Sequence, residues 1–506
     1  MSFQGSDPIT IVRNKNIKQP LSSSVKSWAS SYSRSQQYNI NQELNGLLQS
    51  EFDHEGENDH NALDPCNERS DIFINERTPL ISQPVIIEEL EDAQDYKRLT
   101  YLGKSTFNQT VFNAVNILMG LAILSFPLAF KYAGWFFGIL IFLFCLILTN
   151  YTAKLLKKCL DIDPDCLTYA DLASLAFGQK GKLIIGGLFT MDLFNAAVVI
   201  MILVGDSLHT LFPRVDLVQL KLISFFIITP FTWMPMHFLS YASIFGIIST
   251  LSVAAVILID GFSKLEPPGS ILNPMDTSFF PSNWMTLPLA FGLINAGFAG
   301  HAVYPSLYRD MAKPALYNRM VNYSYLISSI VYITVAVSGY LMFGPDTLQE
   351  ITLNIMKTKG FSVLLNSIVV WMIVTNPLTK FPLVITPINI IFEVGFLRIP
   401  FVYQFFASKV AKNFFTIMSR TILCSLVIFT AIFLPEFDRA MSLLGSLFSF
   451  LICGIFPILC HLKLFGRQLS NKELAWDLIL LVMSSIIAIV GTIWTFFPNE
   501  WLDDKN

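Results

Sequence analysis

"NAVNILMGLAILSFPLAFKYAGW", residues 113–135, is the stretch whose reading decides the fold. Most of it is aliphatic or aromatic, as a lipid-facing helix would be. Yet Asn113 and Asn116 sit in it, followed by Gly120, Ser125 and Pro127. Glycine weakens a helix, and proline cannot donate the i→i−4 hydrogen bond. In hydrocarbon every backbone N–H and C=O must be paired, so broken backbone survives there only where it is buried in protein or lines a cavity. Asn113, Asn116 and Gly120 are spaced three and four apart and share one helix face. The pattern predicts an interrupted helix whose polar face meets a ligand. The alternative is a face of small residues packing helix against helix.

A second stretch weighs on that choice. "LPLAFGLINAGFAGHAVYPSLYRDM", residues 287–311, again carries an asparagine, Asn295, ahead of Gly297 and Gly300, with His301 and Pro305 following. Two Gly/Pro-interrupted segments at corresponding positions in two halves point to an inverted-repeat transporter with its site near the bilayer midplane.

The rest of the chain fits a membrane setting. It has 506 residues, 53% hydrophobic and only 14% charged, where soluble domains carry about a quarter charged residues. The pattern predicts an all-α polytopic membrane protein. Candidate spans are 107–129, 132–157, 183–208, 217–234, 238–259, 286–305, 322–343, 361–391, 413–434, 441–461 and 475–497, about eleven helices. The 361–391 run exceeds one span and holds Pro377, Pro382 and Pro387, so a tilt or a break is expected. Spans 107–259 and 286–461 form the two repeats, with 475–497 as an extra helix. No β-barrel alternation is present.

Lys and Arg decide the orientation. With the N-terminus in the cytosol, the inner loops hold Lys154, Lys157, Lys158, Lys180, Lys182, Arg309, Lys313 and Arg319 among others, and the outer loops are poorer. This predicts a cytosolic N-terminus and a C-terminus on the far side. Residues 1–100 are rich in serine and acidic groups and are expected to be a disordered cytosolic tail. Met1–Pro20 has no apolar core, so no signal peptide is expected. Within the tail, "NERTPLI" (75–81) places Glu76 four residues before Leu80, followed by Ile81. This is the acidic dileucine pattern read by clathrin adaptors that sort cargo to vacuoles, lysosomes and synaptic vesicles. A solvated loop is the alternative.

The seven cysteines suit neither a zinc site nor a disulfide framework and read as free thiols. No metal or cofactor is expected, and a net charge of −3 suggests no nucleic-acid partner. No HExxH or GxSxG stands in the chain, which argues against an enzyme.

The motifs resemble the amino acid/auxin permease family, most of all its vacuolar amino-acid transporters and the vesicular inhibitory amino-acid transporter. The matching pieces are the two stretches above, "GDSLHTLFP" (205–213) and "NPLTKFPLVITPI" (376–388). Relatives often carry a second glycine at the first break, where this chain has Ala122. The resemblance implies a leucine-transporter-type 5+5 inverted repeat with helices 1 and 6 broken, proton coupling, and amino acids as substrates. The substrate carboxylate is then expected to meet N–H groups at Gly120, Leu121 and Ala122, with Asn116 either bonding the substrate or stapling the unwound turn. The ammonium then meets carbonyls around Phe298, Ala299 and Gly300, with Phe298 closing over the side chain or simply packing.

Ionisable residues inside spans are the remaining signal, because each is costly unless compensated. In this fold spans 1 and 8 hold a sodium in sodium-coupled members, so the Lys380 ammonium would stand in for it, with Thr375, Asn376 and Thr379 nearby. Snorkelling is the alternative for Lys380. Asp192 is the rival proton carrier, or a fixed hydrogen-bonded carboxylate. His301 either takes part or bridges helices. Asp206 and Asp260, at outer span ends, read as solvated. The dileucine pattern and the resemblance to vacuolar and vesicular members favour antiport of protons and neutral amino acids, with the amino acid carried into the vacuole. Export, plasma-membrane uptake, or an amino-acid sensor signalling through the tail are the alternatives.

Overall fold

In the computed structural model the apolar runs are helical, the form in which a segment pairs its own backbone groups away from water. The structure describes residues 105–164, 166–233, 242–397, 409–434 and 436–497. The tail with Glu76, Leu80, Ile81 and Cys66 lies outside them.

The helices are α1 (Phe107–Leu118), α2 (Phe126–Leu160), α3 (Tyr169–Leu211), α4 (Leu217–Thr232), α5 (Ala242–Ser263), α6 (Leu287–Gly297) and α7 (Tyr304–Asp310). They continue with α8 (Tyr317–Phe343), α9 (Ile351–Lys357), α10 (Val363–Leu397), α11 (Lys409–Phe433), α12 (Phe437–Leu443), α13 (Phe456–Phe465) and α14 (Asn471–Thr495). A π-helical segment, Leu444–Ile455, joins α12 to α13. Capping boxes start several of these: Thr106 with Gln109, Thr168 with Asp171 and Ser470 with Glu473 each satisfy first-turn N–H groups.

Among the described residues, nine helices are long and apolar enough to cross a membrane, and the shorter apolar Leu217–Thr232 accompanies them. This differs from the eleven spans read off the sequence for a local reason. The segment Leu121–Leu160 runs as one unit with no loop inside it. Gly134 alone (φ 68°, ψ 175°) turns the chain between its two halves, in a conformation L side chains rarely adopt. Where a tilt or a break is expected at the prolines of the eighth span, α10 runs as one helix of 35 residues.

Two ends of the bundle can be told apart. At one, Arg309 donates to the carbonyls of Leu160 (2.8 Å) and Cys166 (2.9 Å), and Ser105 N–H donates to Asp310 O at 2.8 Å. At the other, Trp135 and Phe136 N–H donate to Ser278 O (3.1 Å) and Phe279 O (3.0 Å), and Gly269 N–H donates to Met342 O at 2.7 Å. The segment between α5 and α6 thus folds back over the helix ends. Ile271 N–H of that segment donates to Gly261 O at 2.8 Å, beside Asp260, which is buried although expected to be solvated; Asp206, also expected to be solvated, is only partly exposed, near Lys221 and Glu350. The six described cysteines are free and buried.

The core is aromatic at its centre. Phe126 meets Tyr332 edge-on with ring centroids 4.8 Å apart, and Phe298 meets Tyr332 at 5.5 Å. The last helix is tied in by polar groups: Asp477, fully buried, faces His461 Nδ1 at 2.7 Å and accepts the Tyr151 hydroxyl at 2.6 Å.

Candidate functional site

Helix α1 stops at Leu118. Met119 (φ −69°, ψ 67°) and Gly120 (φ −88°, ψ −162°) leave the helical conformation, and the chain re-enters as a tight 3-10 turn, Leu121–Ser125. Helix α2 follows with Pro127 in its first turn, where the missing N–H leaves no bond unmade. The second stretch repeats this plan. Helix α6 stops at Gly297, a 3-10 turn covers His301–Val303, and α7 starts with Pro305 in its first turn.

The carbonyls released at these points find specific partners, as buried backbone groups must. The Tyr332 hydroxyl on α8 lies within hydrogen-bond reach of Leu118 O and of Gly297 O (2.7 Å), joining the two helix ends. Lys380 Nζ on α10 donates to Met119 O at 3.3 Å. Lys380 has room because α5 presents Gly246: a Cβ there would lie 3.0 Å from Lys380 Cε and 3.4 Å from Asn376 Oδ1.

His301 is fully buried, its Nε2 lying 3.1 Å from Thr149 O and 2.9 Å from Thr152 Oγ1 on α2. A carbonyl only accepts, so this contact puts a proton on Nε2. No described residue bonds Nδ1. Asn295 Nδ2 donates to Gly445 O and Ser449 Oγ, both at 3.1 Å, holding α6 to the π-helical segment.

Both interruptions open onto one cavity of about 290 Å³. Its wall includes Asn116, Gly120, Leu121 and Ala122 from the first, and Ala299, Gly300 and His301 from the second. Asp192 on α3 and Lys380 on α10 complete it, among aliphatic neighbours such as Leu193, Val199 and Ile200. The Asn116 Oδ1 is buried with no hydrogen-bond partner among the described residues. Asp192 makes no hydrogen bond or ion pair with a described residue.

Three expected residues stand elsewhere. Phe298 is absent from the wall: its fully buried ring packs against Phe142 (5.5 Å) and stacks on Tyr325 (5.9 Å), where an apolar cluster takes it in. Thr375 Oγ1 donates to Trp371 O at 2.8 Å within its own helix and does not reach the cavity. The Thr379 side chain lies outside the described residues. Asn376 is buried beside Gly246 rather than on the wall.

Residues 103–497 match the family described as transmembrane amino acid transporter protein. The chain belongs to that family, the amino acid/auxin permeases. It is an amino acid transporter of the membrane and not an enzyme. Similar proteins include the amino acid transporter AVT1B of Arabidopsis thaliana, 31% identical over 400 residues, 77% of this chain and 70% of its own length. The amino acid transporter AVT1I of the same plant is 30% identical over 423 residues, 79% of this chain and 97% of its own. A vesicular GABA transporter of Caenorhabditis elegans is 26% identical over 387 residues, 76% and 78% of the two chains. Among solved structures, a sodium-coupled sialic acid symporter aligns over 77% of this chain and 90% of its own, at 13% identity and a TM-score of 0.45.

Sequence reasoning missed the parts of this transporter that hold its interruptions in place. Tyr332 is one tyrosine in an apolar run, and Thr149 and Thr152 read as ordinary helix residues. Nothing local marks them, because their roles depend on which helix lies opposite.

Proposed function

We propose that this transporter exchanges protons for neutral amino acids across the vacuolar membrane and loads the vacuole. The observation that carries the reading is the single cavity onto which both interruptions open, with Lys380 and Asp192 on its wall. In this reading spans one to five and six to ten are inverted repeats, and the last helix is an addition.

A zwitterion suits two helix interruptions, because a helix start offers partial positive charge and a helix end partial negative charge. The first N–H groups of the turn that begins at Leu121 have no carbonyl within that turn. The substrate carboxylate sits there, near Gly120, Leu121 and Ala122, with Asn116 beside it. The ammonium meets the carbonyl side of the second interruption at Ala299 and Gly300. The aliphatic wall takes an uncharged side chain, which favours neutral substrates.

Proton coupling runs through Lys380. Charged, it holds the Met119 carbonyl at 3.3 Å and steadies the first interruption. Deprotonated, it releases that charge-assisted contact, which is among the stronger kinds of hydrogen bond. Asp192, on the same wall, is the second candidate carrier.

Direction and address rest on separate supports. Lys157, Lys182, Arg309, Arg319 and Lys463 gather toward the Arg309 end of the bundle, which favours that end facing the cytosol. The Glu76, Leu80, Ile81 pattern favours delivery to the vacuole by a clathrin adaptor, and the likeness to a vesicular transporter favours loading a compartment. The test is uptake of each of the twenty amino acids into proteoliposomes holding the purified protein and an imposed pH step. Uptake of neutral amino acids into an acidic lumen, collapsing with the gradient, is expected. Accumulation of the same kind without a gradient would exclude coupling. Changing Glu76, Leu80 and Ile81 to alanine is expected to divert the protein to the cell surface, read by fluorescence of a tagged chain.

A further inference from the structure

A second chamber lies at the Trp135 end, apart from the central cavity. It measures about 460 Å³ and is bounded by the Lys131–Tyr132 part of α2, the segment before α6, and the start of α12. The central cavity is mainly aliphatic. This one is lined by Lys131, Asp276, Glu436, Asp438 and Arg439 with several hydroxyls.

Asp438 is the informative group. It stands on the chamber wall and is only 4% exposed. Its Oδ2 accepts the Tyr132 hydroxyl at 3.0 Å, whereas Oδ1 is buried with no hydrogen-bond partner among the described residues. A buried carboxylate oxygen left without a donor is costly, and native structures rarely keep one without a reason. The Arg439 backbone N–H and charge lie beside the Asp438 carboxylate, while the side chains of the cations on the wall also serve other acceptors. Arg439 Nε pairs with Glu436 at 3.4 Å and Nη1 donates to Trp494 O and Thr495 O, both at 3.3 Å. Lys131 Nζ donates to Thr347 O at 3.0 Å. Oδ1, with no hydrogen-bond partner among the described residues, is the atom left to take a donor from outside, and Lys131 and Arg439 keep positive charge on the same wall.

We propose that this chamber is a second amino-acid station, with the ligand ammonium donating to Asp438 Oδ1 and its carboxylate in the field of Lys131 and Arg439. From the function proposed above it takes only the substrate class. The two stations share structural elements. The Tyr132 part of α2 continues the 3-10 turn of the first interruption, and α12 continues into the segment whose Leu444, Ser449 and Cys453 wall the central cavity. A ligand leaving one site therefore has the other as its neighbour toward the Trp135 end.

The experiment is equilibrium binding of a radiolabelled mixture of neutral amino acids to the purified full-length protein, counted as equivalents per chain. Wild type is expected to bind two, Asp438→Asn one, Gly120→Leu one, and the double variant none. A single equivalent in wild type, lost in Gly120→Leu and kept in Asp438→Asn, overturns the second station and leaves the central site standing. A single equivalent kept in Gly120→Leu and lost in Asp438→Asn does the reverse. No binding by wild type overturns both. If Asp438→Asn loses every equivalent, Ser282→Trp decides, since Ser282 is an exposed residue on the chamber wall and the indole would fill the space. Ser282→Trp is expected to bind one equivalent, and retention of two overturns the proposal.

Discussion

At the first interruption a lysine from another helix, Lys380 of α10, reaches the Met119 carbonyl; at the second, a histidine belonging to the interruption itself, His301, reaches back to Thr149 and Thr152 of α2. The backbone plan is otherwise shared, with an α-helix, a 3-10 turn, and a new α-helix with proline in its first turn. The first interruption is thus held by a cation carried on another helix, α10. The second is fastened from within by an imidazole whose Nε2–H already has partners. Under the proposed mechanism the first is the part that responds to protons and the second is the fixed part.

The comparison can be broken most severely at Gly120. A Cβ there would meet only Leu118 O, at 3.8 Å, and Gly120 lies on the cavity wall. Gly120→Ala is therefore expected to keep the fold and part of the flux, and Gly120→Leu to abolish transport with normal folding. Wild-type flux in proteoliposomes of the leucine variant would remove substrate binding from the first interruption.

The next largest effect separates the two interruptions directly. Lys380→Ala is expected to flatten the dependence of flux on the imposed pH step, and His301→Ala to lower flux equally at every pH. Flux measured against pH for both variants decides it. If His301→Ala alone changes the pH dependence, coupling belongs to the second interruption, and if neither does, Asp192 is the remaining carrier on the wall.

Tyr332→Phe removes the hydroxyl that serves Leu118 O and Gly297 O together. Unsatisfied buried polar groups cost about 1–3 kcal/mol, so a lower melting temperature is expected with the cavity residues unchanged. An unchanged melting temperature would show that the two helix ends do not need their shared partner.

The smallest effect lies outside the spans. Glu350, at the start of α9, is fully buried; burial first, and the negative charge of Asp206 second, push its carboxyl well above the usual range. Helix α9 packs against the 3-10 turn of the first interruption. With the folded value above the unfolded one, an acid is disfavoured in its charged form, so the wild type loses stability as pH rises from the ordinary carboxylate range toward the folded value. Glu350→Gln is expected to melt higher than wild type at neutral pH, with the gap closing as pH falls to the ordinary carboxylate range. A gap that widens on acidification would refute this.

The sequence on its own determined the membrane-spanning, helical character of residues 103–497, since apolar runs of that length pair their own backbone groups in a bilayer as helices. It also marked where helices one and six give way, because Gly120, Pro127, Gly297, Gly300 and Pro305 act locally through backbone conformation and missing N–H groups. It pointed to Asp192, Lys380 and His301, because an ionisable group in an apolar run is conspicuous wherever it ends up. Tertiary structure alone decided that Asn116, Asp192, Lys380 and His301 share one wall, that Phe298 turns away into a ring cluster, and that Tyr332 closes both helix ends. It also decided that Asp438 is buried with one oxygen unpartnered. The physical reason is that backbone breaks are set by neighbours along the chain, whereas a side chain's partners can belong to helices more than 300 residues distant, as with Tyr132 and Asp438, 306 positions apart. No local pattern encodes which helix will lie opposite.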